Sequence, residues 1–116
     1  MKSTYYEELP YEEKLVRFMR GVAHPVRMAI LVKLAKIDSC SDQLLNIDYP
    51  VSQPVLKQHL VGLSREGLIK GSTRGQILYY CINWDVFWEF SDCFHMFFNN
   101  FPEKANTQKC DLGRKL

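Results

Sequence analysis

The sequence is short of the features that mark membrane, secreted or catalytic chains. No apolar run approaches the roughly 18 residues of a membrane span, and the opening segment MKSTYYEELPYEEK lacks the apolar core of a signal peptide. The chain is therefore expected to be cytoplasmic, with no membrane partner. Its four cysteines, Cys40, Cys81, Cys93 and Cys110, contain no CxxC or CxC pair. They read as free thiols rather than a zinc site or disulfide framework. Only three histidines are present, His24, His59 and His95, and none stands in a nucleophile–base arrangement. No glycine-rich loop is placed to cradle phosphate, so neither an enzyme nor a cofactor is expected. Internal repeats and low-complexity segments are also absent, which leaves a single domain in 116 residues.

What is present is a globular composition, 47% hydrophobic and 24% charged, with an uneven distribution of charge. The formal net charge is +2. Residues 1–51 balance seven basic against seven acidic side chains, and residues 76–116 carry four basic and five acidic ones. Residues 52–75 hold Lys57, Arg65, Lys70 and Arg74 against Glu66 alone. The positive balance is thus confined to one short stretch, as phosphate contact requires.

Along the chain, residues 1–8 read as a flexible tail, 9–100 as the folded domain and 101–116 as a second flexible tail. Pro10 opens a first helix with the apolar stripe Leu15, Phe18, Met19 and Val22. Pro25 starts a second, with Val26, Ala29, Ile30, Val32 and Leu34 as its apolar set. Asp38 to Ser41 end it. Ser41 or Asp42 can cap a short third helix containing Leu44, Leu45 and Ile47, before the turn Asp48-Tyr49-Pro50. A fourth helix follows: Ser52 is its N-cap, Pro54 lies in its first turn, Leu56, Leu60 and Leu63 share one side, and Gly67 stops it. Two short strands flanking GSTRG complete a hairpin, and Asn83 can cap a final helix, WDVFWEFSDCFHMFFNNF. The order, ααααββα, is that of a winged helix-turn-helix: mainly α with a β-hairpin wing (α+β).

The words AHPVRMAIL (Ala23 to Leu31), VSQPVLKQHL (Val51 to Leu60), LSREGLIKG (Leu63 to Gly71) and ILYYCI (Ile77 to Ile82) come in one register. Together they resemble the ArsR/SmtB-type winged helix-turn-helix repressors over roughly Val16 to Ile82. The resemblance implies a sequence-specific transcriptional regulator, a repressor binding an inverted-repeat operator in double-stranded DNA as a homodimer. The helix at about 52–66 would enter the major groove, and the 72–76 wing would touch the minor groove or phosphates. Ser52, Gln53, Pro54, Lys57, Gln58 and His59 occupy the family's reading word; Arg65, Lys70, Thr73 and Arg74 extend the basic surface. Gln53 and Gln58 suit adenine, and Lys57 suits guanine or a phosphate. Many members carry Ser at Lys57 and His at Gln58, so a relative's sequence preference does not transfer. His59, beside Leu60, is either a packed ring or a phosphate contact.

In the last helix Trp84, Phe87, Phe90, Phe94, Phe97, Phe98 and Phe101 recur by steps of three and four. That stripe exceeds what one small fold buries and points to a dimer seam through the first and last helices. Leu15, Phe18, Met19, Phe87, Phe90, Phe94, Phe97 and Phe98 are its expected members. An alternative use of the same helix is a protein-interaction module with only non-specific DNA affinity. A metal sensor is not expected. The family's Cys-x-Cys is reduced to Ser39-Cys40-Ser41, and Asp92 and His95, with Glu103 beyond, lack the spacing of its other site type. Cys40, Asp92 and His95 are the weak metal candidates, and a thiol switch would have to join Cys40 to Cys93 or Cys110. No small effector is assigned.

Overall fold

The computed structural model describes residues 8–41 and 44–102. The elements are α1 (Tyr11–Val22), α2 (Pro25–Ile37), β1 (Ser39–Ser41), α3 (Gln53–Arg65), β2 (Ile69–Arg74), β3 (Ile77–Ile82) and α4 (Trp84–Phe98). Among the described residues, four helices accompany a three-stranded antiparallel sheet of order β1-β3-β2. This is the expected winged helix-turn-helix, with one helix fewer and one strand more than the sequence pattern suggests.

Local chemistry accounts for most boundaries. Glu12 and Glu13 sit in the first turn of α1 and Arg20 in its last, matching the helix dipole. His24 caps α2: its Nδ1 accepts from Val26 N at 3.1 Å, and Pro25 fills the first helical position. Ser52 Oγ accepts from Val55 N at 3.4 Å at the start of α3. The end of α3 is a Schellman motif. Gly67, at φ 79, donates to Ser64 O, and Leu68 N donates to Leu63 O. That reversal drops Leu68 and Ile69, both buried, straight into the core and starts β2.

The core is shared by every helix. Phe18, Ile30, Leu34, Leu60, Leu63, Leu68, Ile69 and Val86 are its fully buried large side chains. Phe18 of α1 lies against Phe90 of α4, ring centroids 4.9 Å apart. Lys14 Nζ also meets Glu89 Oε2 at 2.8 Å in a half-buried ion pair between the same helices. Gly21 lets α1 approach the α3–β2 junction closely, since a Cβ there would come within 2.7 Å of Leu68 Cδ1.

Several expectations need correction. No helix forms over Leu44–Ile47. Ser41 does cap a turn, accepting from Leu44 N through Oγ (3.3 Å) and from Leu45 N through its carbonyl (3.0 Å), but the turn does not propagate. Only Leu45 is buried while Leu44 is 75% exposed. The following Asn-Ile-Asp-Tyr-Pro segment combines poor helix formers with a residue constrained by proline. The alternative cap, Asp42, lies outside the described residues. Ser39–Ser41 instead extend the sheet, Ser39 opposite Cys81 and Ser41 opposite Tyr79. On α2, Leu31 is buried and Val32 is 57% exposed, the reverse of the expected stripe. Asn83 precedes α4 without capping it; its Nδ2 donates to Gly67 O at 3.0 Å, tying the α3 terminus to α4. Of the two expected tails, residues 1–7 and 103–116, which include Glu103 and Cys110, lie outside the described residues.

Candidate nucleic-acid interface

α3 divides cleanly into two faces. Leu56, Leu60 and Leu63 are buried against the core, which fixes the rotation of the helix. Ser52, Gln53, Pro54, Lys57, Gln58, Val61 and Arg65 are then left exposed. The structure thus gathers five residues of the expected reading word and Arg65, with Val61 added, on a single outward surface. Pro54, Lys57, Gln58, Val61, Gly62 and Arg65 wall an open cleft of about 520 Å³, closed on its α2 side by Arg27.

The wing stands beside this surface. Two residues, Gly75 and Gln76, join β2 to β3, and Gly75 takes φ 65 while Gln76 does not adopt positive φ. That sign pattern is a type II′ hairpin turn, whose twist matches the strands. The register runs from Ile69 opposite Ile82 to Arg74 opposite Ile77. Gly71 and Thr73 therefore share the sheet face with Leu78 and Tyr80, and this face meets α3 across a groove that includes Val61, Ser64 and Arg65. Lys70 and Arg74 fall on the opposite face. Arg74 at the tip is exposed, its guanidinium carbon 4.8 Å from the Tyr79 ring centroid, a stacking that orders the cation without neutralising it. Lys70 lies near the hairpin base opposite Cys81, and the structure does not bring it to the α3 surface.

His59 packs against the start of α2. It is half-buried, its ring centroid 4.2 Å from that of His24, and its Nδ1 accepts from Arg27 Nε at 3.3 Å. An accepting Nδ1 keeps the ring neutral with its proton on Nε2. Burial first, then the charges of His24 and Arg27, hold the His59 pKa below its ordinary 6.5. The unfolded chain takes up this proton at higher pH than the folded one, so the associated stability is complete above 6.5 and declines as pH falls from there toward the folded value. The thermal midpoint is expected to drop over that window. His59→Gln, which keeps an acceptor for Arg27, should flatten the decline; an unchanged pH profile in the variant would refute this role.

Arg27 is the residue the sequence reading missed. It belongs to α2, outside the reading word, and joins the cleft only through a contact 32 positions away. Its one sequence signal is a cation in the first turn of α2, apart from Lys33 and Lys36 in the second half of that helix.

A second surface is apolar. Trp84, Trp88, Met96, Phe98 and Phe101 on or just beyond α4 are exposed, with Met19 of α1 and Met28 and Val32 of α2 nearby. Met19, Met28, Val32, Phe87, Phe90 and Phe94 help to line an open cleft of about 540 Å³ between these helices. Of the expected seam residues, Met19, Phe94, Phe97 and Phe98 are exposed and Phe87 and Phe90 half-buried. Leu15 and Phe18 are a correction: both are buried within the protomer, Phe18 against Phe90 of α4, and neither is open to a partner.

The weak metal candidates stay apart. Among the described residues no three His, Cys, Asp or Glu side chains converge. Cys40 is half-buried in β1, whereas Asp92 and His95 are exposed on α4. Cys40, Cys81 and Cys93 are free thiols. Burial, with Glu89 and Asp92 adding to it and Lys14 opposing, pushes the Cys93 thiol up, away from the thiolate form that a thiol switch would need. No helix among the described residues is long and apolar enough to cross a membrane.

No family model matches the sequence. A curated relative from Mycobacterium tuberculosis, the HTH-type transcriptional repressor SmtB, is 34% identical over 62 residues, which are 53% of this chain and 45% of the relative. The match thus spans about half the length of that protein. Among solved structures, NolR from Sinorhizobium fredii is 26% identical, with a TM-score of 0.58 over 83% of this chain and 96% of that one. An ArsR-like transcriptional regulator from Rhodococcus sp. RHA1 shares the fold at 19% identity, with a TM-score of 0.66 over 77% of this chain and 83% of its own. Four motif words in register, the helix–wing topology and these relatives agree: the chain has the winged helix-turn-helix fold and is similar to the ArsR/SmtB-type regulators.

Proposed function

We propose that this chain is a sequence-specific DNA-binding transcriptional repressor, not an enzyme, that acts as a cytoplasmic homodimer on an inverted-repeat operator. The observation that carries this reading is the outward face of α3, rotated into place by Leu56, Leu60 and Leu63 and flanked by a wing with Arg74 at its tip. Gln53, Lys57 and Gln58 offer the amide and ammonium groups that read base edges, and Ser52 and Thr73 offer hydroxyls for phosphate. Arg65 lies between helix and wing, where one cation serves both. Residues 9–100 act as one DNA-binding and dimerisation unit. The exposed aromatic surface of α4 with Met19 of α1 supplies the seam between two copies, placing two α3 helices on successive major grooves.

The test is a duplex titration of wild type and a Lys57→Ala plus Arg74→Ala double variant. The double variant is expected to lose affinity by about tenfold or more and to show a shallower salt dependence, with the oligomeric state unchanged. Unchanged affinity would remove these residues from the site. The exposed aromatic face also suits a second reading, a module that binds a different protein chain. In that case the purified protein stays monomeric and binds duplexes weakly and without regard to sequence.

A further inference from the structure

Among the described residues, the half-buried cation beside the reading helix has neutral partners only. Arg27 Nη1 donates to Gly21 O at 3.0 Å and Nε donates to His59 Nδ1 at 3.3 Å. A carbonyl and a neutral imidazole orient the guanidinium but leave its full charge, and no carboxylate pairs with it among the described residues. Three of its five N–H groups remain beyond those two bonds. The seat is shaped for it: Gly62 of α3 has no side chain, and a Cβ there would lie 2.9 Å from Arg27 Cζ and closer still to Nη2. The guanidinium thus lies across α3 where a methyl group would otherwise stand. It faces the cleft that Lys57 and Arg65 also line. A partly desolvated cation with two neutral tethers, in a concave site with two further cations, has the chemistry to hold an anion with paired oxygens.

We propose that Arg27 is a DNA-backbone residue: one phosphodiester group per protomer docks in the α2–α3 cleft on its outward N–H groups, with Lys57 and Arg65 at the rim. His59 and Gly62 are positioning residues, the first by holding Nε and the second by leaving room. This inference rests on the DNA-binding reading above and adds a contact from outside the recognition helix. Because phosphate is common to every duplex, Arg27 raises affinity for all sequences alike and does not discriminate between them.

The experiment is a fluorescence-anisotropy titration of the full chain with specific and scrambled duplexes over a range of salt, for wild type, Arg27→Gln and Gly62→Ala. Thermal unfolding is measured alongside. Arg27→Gln is expected to weaken both duplexes by the same factor. It should also reduce the slope of log affinity against log salt by about two in the dimer, one contact per protomer. Gly62→Ala keeps every charge but evicts the guanidinium from its seat, and should weaken both duplexes while leaving the unfolding midpoint at or above that of wild type. A wild-type salt slope in Arg27→Gln, or wild-type affinity in a folded Gly62→Ala, overturns the proposal while wild-type binding still supports the repressor reading. Absence of duplex binding by wild type overturns both.

Discussion

Replacing Phe94 and Phe98 together by aspartate is expected to leave a folded monomer and to cost about a hundredfold or more in affinity for a two-half-site duplex. Both rings are exposed, Phe94 by 37% and Phe98 by 53%, and they lie against each other with centroids 4.9 Å apart. Phe97 and Phe101 continue the surface, Phe98 lying edge-on to Phe97 at 5.5 Å. Each such ring removes on the order of 150–250 Å² from water when a partner covers it. Carboxylates at the same positions would have to be buried unpaired, which opposes association by several kcal/mol. The protomer should be nearly indifferent, because the core below is made by Val86 and Cys93, the inward line of α4. The DNA penalty follows from connectivity: two linked half-site readers gain the effective concentration that two separate ones lack. Light scattering gives the mass, and titration of one- and two-half-site duplexes gives the coupling. A variant that stays dimeric with wild-type affinity moves the seam elsewhere.

Phe18→Ala is expected to lower unfolding stability by about 3–5 kcal/mol, a large share of the roughly 5–15 kcal/mol typical of a whole domain. Phe18 is 0% exposed within one protomer and joins α1 to α4 through Phe90. Truncation forfeits the transfer free energy of the ring and leaves a cavity between two helices that the Lys14–Glu89 pair keeps in register. The denaturation midpoint should fall with the denaturant slope preserved. Had Phe18 been a seam residue, as the sequence pattern suggested, its loss would instead shift the monomer–dimer equilibrium and spare protomer stability. A loss below about 1 kcal/mol with a disrupted dimer would return Phe18 to the seam and contradict its place in the core.

These two phenylalanine sites show what a sequence can and cannot convey. Periodicity marks Leu15, Phe18, Phe94 and Phe98 alike as apolar, but only packing decides which face the protomer consumes and which it leaves open. The α3 unit was legible because its signals are local: the Ser52 cap, Pro54, the leucine line and the Gly67 stop all act within a few residues. The hairpin was legible for the same reason. β1 was not, since Ser-Cys-Ser is too short to carry a side-chain pattern and its pairing is made by the backbone with β3, some forty positions on. The turn at Ser41 has the cap of a helix and lacks the apolar anchors to extend it. Asn83 resembles a cap in sequence and is drawn off by Gly67 O, a partner sixteen positions away. Arg27 and His59 meet only because α2 and α3 cross, which no local motif records.

The central claim, that the α3 face and the wing read DNA sequence, is tested most directly by selecting bound duplexes from a random pool. The winner is then titrated against its scrambled version near physiological salt. The expected winner is an inverted repeat bound with a dissociation constant on the order of 10⁻⁸ M or tighter, at least about a thousandfold tighter than the scrambled duplex. Equal, micromolar binding of both would contradict it.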